Sequence, residues 1–163
     1  MTFRDNGDGT VTDDSTGLMW EKKTYDTNGV HHVNHAYSWS QPEVTGTEPD
    51  GTAFTVFLRI LNESRFAGHS DWRLPTVQEL ESIVDASRVP RIHEVFGPTN
   101  YSWGPPTCWY WTSETRTDFP NQPDNLHNAW EVNFGNVDSQ RGFAQLNSGN
   151  KVGETSVRAV RNV

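Results

Sequence analysis

Several residue groups in this chain carry types and spacings that could do chemistry. Asp5-Asn6-Gly7-Asp8-Gly9-Thr10 is rich in oxygen ligands and invites comparison with a helix-loop-helix calcium loop. In that alignment Asn6, Asp8 and Gly9 fit positions 3, 5 and 6, but Arg4 stands at position 1 and Ser15 at position 12. A cation at the first ligand position and no bidentate carboxylate at the last defeat the match, so a hairpin turn is expected. His31, His32 and His35, with Glu48 and Asp50, make a transition-metal set on paper, but they lie in a polar stretch without regular ligand spacing. A solvated loop is the reading. Cys108 sits beside Trp109, Tyr110 and Trp111, the setting of a buried small hydrophobe rather than an exposed thiolate. His69-Ser70-Asp71 names a hydrolytic trio, yet adjacent residues rarely face one another and no nucleophile-elbow motif accompanies them. Trp72-Arg73-Leu74-Pro75 reads as architecture, with Arg73 pairing Asp71 or Glu79. No catalytic residue is assigned.

What remains is a density of polar side chains. Seven Asn fall between Asn121 and Asn150, among Gln122, Asp124, Asp138, Gln140 and Ser148. Short amides and hydroxyls offer many hydrogen-bond directions at small entropy cost, which suits adaptable recognition.

The elements that must carry these groups come from an unusual balance. Only 33% of the 163 residues are hydrophobic and the net charge is -8, yet there are seven Trp, eight Phe and four Tyr. Large rings bury roughly 150–250 Å² each, so a core can form with few aliphatics. A single folded domain over 1–163 is expected, near the usual domain size of about 100–150 residues. With 13 Lys+Arg against 21 Asp+Glu, the overall field opposes nucleic acid and anionic membrane. No apolar run approaches the roughly 20 residues that span a bilayer. The start, Met1-Thr2-Phe3-Arg4-Asp5, has no stretch of signal-peptide length, so export would need a signal outside this chain. One Cys excludes an internal disulfide.

Phe3-Arg4 and Thr10-Val11-Thr12 flank Asn-Gly and Asp-Gly dipeptides, predicting a β-hairpin, and Leu18-Met19-Trp20 predicts a further strand. The stretch 21–51 reads as a long loop. Phe54, Phe57, Leu58 and Leu61 recur at helical spacing, and Thr76 with Glu79 after Pro75 forms a capping box that starts a second helix. Strands follow at 108–113, at 130–134 with Trp130, Val132 and Phe134 inward and Glu131 and Asn133 outward, at 137–140 after a Gly135-Asn136 turn, and at 157–161. Trp20, Trp72, Trp111 and Trp130 are the expected core rings. Strands, two helices, then strands predict an α+β domain.

Asp5 to Asp13 with Thr16-Gly17-Leu18-Met19-Trp20, then Ala67-Gly68-His69-Ser70-Asp71-Trp72-Arg73-Leu74-Pro75-Thr76 with Glu79-Leu80, resemble successive motifs of the DUF1566 family, the C-terminal domain of Legionella collagen-like adhesins. Tyr110-Trp111-Thr112-Ser113, Ala129 to Phe134 and Val157 to Arg161 resemble its later strands, so the resemblance spans nearly the whole chain. It implies a C-type-lectin-like, formylglycine-generating-enzyme-like fold with two helices, paired terminal strands and a small antiparallel sheet bearing long loops. It also implies a bacterial, extracellular or cell-surface binding module. The long polar loops 21–51 and 114–128 depart from the family pattern.

The expected function is therefore a non-catalytic binding or adhesion module for a surface glycan or cell-surface protein, with no nucleic acid partner, no membrane insertion and no cofactor. The expected site is the 114–128 loop and the outward face of the last sheet. From the loop come Asp118, Asn121, Gln122, Asp124, Asn125, His127 and Asn128. From the sheet come Glu131, Asn133, Asp138, Gln140 and Arg141, with Trp109, Trp111 and Phe143 as stacking rings. Alternatives stay open. In C-type lectins a Gln-Pro-Asp loop holds Ca²⁺ that binds sugar hydroxyls, which would make Gln122 and Asp124 metal ligands here. The Asn-rich surface also resembles the variable proteins diversified by retroelements. A self-associating structural domain and an enzyme of unassigned type complete the set.

Overall fold

A computed structural model describes residues 2–26, 29–42, 46–100, 108–118, 123–135 and 146–163, with the side chains of 123, 124 and 147 outside the description. Strand β1 (Phe3–Asp5) turns into β2 (Thr10–Asp13), and β3 (Leu18–Glu21) follows in antiparallel register. The first turn is stabilised from within: Asp5 accepts from the Gly7 amide at 3.0 Å and Asp8 from the Thr10 amide at 3.1 Å. Gly7 and Gly9 adopt φ of 77° and 89°, which L side chains rarely adopt. Short strand β4 (Tyr37–Ser38) lies in the stretch expected to be loop.

The first helical segment opens with a π-helical turn, Ala53–Leu58, and continues as α1 (Arg59–Glu63). Phe57, Leu58 and Leu61 are buried, as the apolar stripe predicts. Helix α2 (Val77–Ser82) carries the predicted capping box: the Glu79 amide donates to Thr76 Oγ1 at 3.2 Å and the Thr76 amide to Glu79 Oε2 at 2.8 Å. Arg73 clasps the same Glu79 through two 2.7 Å bonds, while Asp71 pairs with Arg161 instead. Thr76→Ala should cost about 1 kcal/mol, read as a lower urea midpoint with unchanged slope; no shift would deny the cap its role.

Strands β5 (Trp109–Thr115), β6 (Asn128–Asn133) and β7 (Leu146–Asn150) make a three-stranded antiparallel sheet. Strand β8 (Glu154–Thr155) pairs with β4, and β9 (Val160–Asn162) closes the first sheet beside β3. Helices and antiparallel sheets together form an α+β arrangement.

Two hydrophobic clusters hold these layers. Tyr37, Trp39, Phe57, Leu61, Trp72 and Trp111 centre one; Val11, Trp20, Leu80, Phe96, Tyr110, Val132, Phe134 and Val160 centre the other. Opposite residues of antiparallel strands share a face, so Tyr110 with Val132 and Trp111 with Glu131 put β5–β6 between the clusters. That packing corrects three expectations. Glu131 and Asn133 are buried rather than outward, because the face opposite Val132 is covered too. The stretch 21–51 is anchored by buried Val33, Tyr37 and Trp39 and by a bridge from Thr24 to His32. Trp130 is half-buried and outside both clusters, unlike Trp20, Trp72 and Trp111. The strand expected at 137–140 lies outside the described residues.

Candidate ligand-binding surface

Register brings the half-buried Trp130 beside polar neighbours. Trp130 pairs with Ser148 and Asn128 with Asn150, so these four residues share one face of β6–β7. Farther along β6 that face carries Val132, which packs in the Leu80 cluster. Arg116 leaves the end of β5 with its amide donating to the Asn128 carbonyl at 2.9 Å, which fixes its origin at the same edge. Its guanidinium lies 5.8 Å from the centre of the Trp130 ring, and Nη1 donates to Ser148 Oγ at 3.0 Å. Nε and Nη2 donate to the two carboxylate oxygens of Asp118 at 2.5 and 3.1 Å. This pairing holds the Asp118 carboxyl below the usual carboxylate range, by hydrogen bond first and charge second.

The result is an aromatic ring, a fork of oriented N–H donors, a carboxylate, a hydroxyl and two amides on sheet-anchored backbone. An indole ring accepts the apolar C–H face of a sugar or a side chain, and the polar groups around it supply direction. The geometry can hold and orient a ligand.

The expected site residues divide accordingly. Asp118 and Asn128 lie on this surface. His127 is exposed at the adjoining sheet end, where its carbonyl accepts from the Lys151 amide at 2.9 Å. Asn125 is buried in the short helical turn Pro123–His127, as are Glu131 and Asn133 on the opposite sheet face. Asp124 lies in that turn with its side chain outside the description; Asn121, Gln122, Asp138, Gln140, Arg141 and Phe143 lie outside the described residues. The Gln122–Asp124 calcium pair is thus not described. Among the described residues no three His, Cys, Asp or Glu converge as a metal site. Of the stacking rings, Trp109 is half-buried and Trp111 buried.

Sequence reasoning missed Arg116 and Trp130 as a surface ring; Ser148 and Asn150 belong to the polar density it named but not to its site residues. An Arg and an Asp two residues apart beside a strand end were the available signal. Alternation of Asn128 with Trp130 was the other.

A second polar group is interior. Glu21 accepts from Lys23 Nζ at 2.8 Å, from His31 Nδ1 at 2.7 Å and from the Ala159 amide at 3.0 Å. Arg158, also buried, donates to the Glu21 and Phe96 carbonyls at 2.8 and 2.9 Å and to Thr99 at 3.0 Å. Burial opposes the Glu21 charge, but Lys23 and His31 outweigh it and keep the carboxyl low. Cys108 is fully buried, and burial pushes its thiol up.

A family model for the Lcl C-terminal domain matches residues 9–161. The chain belongs to the Lcl C-terminal domain family. The resemblance carried by Asp71-Trp72-Arg73-Leu74-Pro75 and by the terminal strand is thereby established at family level. In this Lcl C-terminal domain the motif residues act structurally: Arg73 fixes the start of α2 and its backbone bridges Val160 of β9. The Trp130 surface is built by residues outside that central motif. Comparison with curated proteins and with solved structures gives no match.

Proposed function

We propose that this domain is a non-catalytic binding or adhesion module whose ligand, a surface glycan, docks on Trp130 and the polar groups around it. The observation that carries the reading is the Trp130 ring on β6, half-buried outside the core and flanked by the Arg116–Asp118 pair just past the end of β5. Membership in the Lcl C-terminal domain family supports an extracellular or cell-surface setting and bacterial origin, since the resemblance is to adhesin domains.

A glycan array run with and without chelator, with a cell-surface protein array beside it, tests the proposal. Trp130→Ala and Asn150→Ala should each weaken capture, Trp130→Ala by at least about tenfold, the scale of a central aromatic contact. Asn150 is exposed but its side chain accepts from the Val152 amide at 3.1 Å, so an unchanged urea midpoint of Asn150→Ala is the check that the turn survives the substitution. Capture that neither substitution changes, or capture confined to proteins, overturns the glycan reading. Capture abolished by chelator and restored by Ca²⁺ transfers the site to a calcium loop.

A further inference from the structure

We propose that Asp118 sets the ligand class of the Trp130 surface, reserving it for uncharged polyhydroxylated rings and turning away carboxylate-bearing ones. The inference rests on the glycan reading above and adds the chemistry of the sugar. An arginine next to an exposed aromatic ring ordinarily reads as an anion receptor, because its planar fork fits a carboxylate with two parallel bonds. Here that edge of the fork is occupied by the chain itself. Asp118, two residues on, takes Nε and Nη2 at 2.5 and 3.1 Å, and Ser148 takes Nη1 at 3.0 Å. The occupying carboxylate is local in sequence, so it stays at high effective concentration and a ligand must displace it to reach the same donors.

Displacement would also leave two carboxylates beside one guanidinium on a protein of net charge -8. A neutral sugar meets no such barrier. Its apolar face lies on Trp130, and its hydroxyls donate to the Asp118 lone pairs that Arg116 leaves open. Asn128, Ser148 and Asn150 stand on the same face for further hydroxyls. Asp118 is 39% exposed at its side chain against 25% for Arg116, so the carboxylate is the more accessible half of the pair.

The test titrates the full chain with matched hexasaccharides, each neutral hexose oligomer paired with its hexuronate: glucose with glucuronate, galactose with galacturonate, mannose with mannuronate. The unsubstituted protein should bind a neutral member at least about tenfold more tightly than its uronate partner. Asp118→Asn should shift that ratio toward the uronate by about tenfold or more, because the amide no longer competes for the guanidinium. Trp130→Ala should weaken both members. If Trp130→Ala weakens binding but Asp118→Asn leaves the ratio unchanged, or the unsubstituted protein prefers a uronate, this inference falls and the glycan reading stands. If no pair binds, or binding ignores Trp130→Ala, both fall.

Discussion

Glu21→Ala is expected to destabilise the domain by about 3–5 kcal/mol, the usual cost of stripping one partner from a buried ion pair. Against a total stability of roughly 5–15 kcal/mol, a loss of that size leaves much of the protein unfolded in mild denaturant. The carboxylate is fully buried and gathers Lys23, His31 and the Ala159 amide. Removing it strands the Lys23 ammonium, only 3% exposed at its side chain, against the Phe57 ring 4.5 Å away. It also withdraws negative charge from the neighbourhood of buried Arg158, whose guanidinium holds the carbonyls of Glu21 and Phe96. Urea unfolding of Glu21→Ala beside the exposed control Glu63→Ala measures this; the control should stay within about 0.5 kcal/mol. Replacing Glu21 and Lys23 together by Met should recover only part of the loss: it removes the stranded Lys23 charge but leaves the buried Ala159 amide and Arg158 without the carboxylate. A single-substitution loss under about 1 kcal/mol would mean that water or rearrangement compensates Lys23.

Glu131 gives the second large effect, and its sign is opposite to that of an ordinary carboxylate. Burial pushes its carboxyl up from 4.5 to about 7, with Thr155 only partly offsetting the rise. Glu131 is 7% exposed, and a Cβ added at Gly149 would stand 2.7 Å from its carboxyl group, which leaves no room for water on that side. Between 4.5 and about 7 the folded protein holds this proton while the unfolded chain has released it. Stability contributed by Glu131 is thus complete at pH below 4.5, falls as pH rises, and is gone above about 7. The total is about 3 kcal/mol, at 1.36 kcal/mol per pKa unit. His35, held below its ordinary value by burial and by His32, tilts the curve the other way near its own titration. Lys151, pushed down to about 8 by burial, stays protonated in both states below that point. Comparing Glu131→Gln with the unsubstituted protein at pH 5 and pH 8 cancels both. The amide variant should be the more stable by about 2–3 kcal/mol at pH 8 and nearly equal at pH 5. An equal difference at both values would remove Glu131 as the titrating group.

What could be read from the sequence was the chemistry that acts over a few residues. The Asp5–Thr10 turn, the Thr76–Glu79 box and the apolar stripe ending at Leu61 each carry their partners within a turn or two. Glu131 and Asn133 were misread because alternation reports which residues share a face, not whether the other face is wet. A second cluster, built partly from Tyr37 and Trp39 in the supposed loop, covers that face. Strand β4 has two residues, too few for any periodicity to register. The Glu21–Arg158 contact joins residues 137 positions apart, and nothing local marks it. At the candidate surface, Asp118 and Asn128 were found through loop polarity. Trp130 was given to the core because large rings usually go there, and without Trp130 the role of Arg116 was invisible.

The placement of β5–β6 between two hydrophobic clusters bears on how the domain comes apart. Residues of one segment feed different clusters: adjacent Tyr110 and Trp111, adjacent Val160 and Ala159, and Val132 and Ala129 on the same strand. Opening either cluster therefore exposes backbone that the other depends on. Small cores divided this way could melt separately if each had its own strands; here the shared strands couple them into one cooperative unit. Subglobal opening is then expected at the periphery, and the β6 amides beside Trp130 should exchange nearly as slowly as the whole domain unfolds.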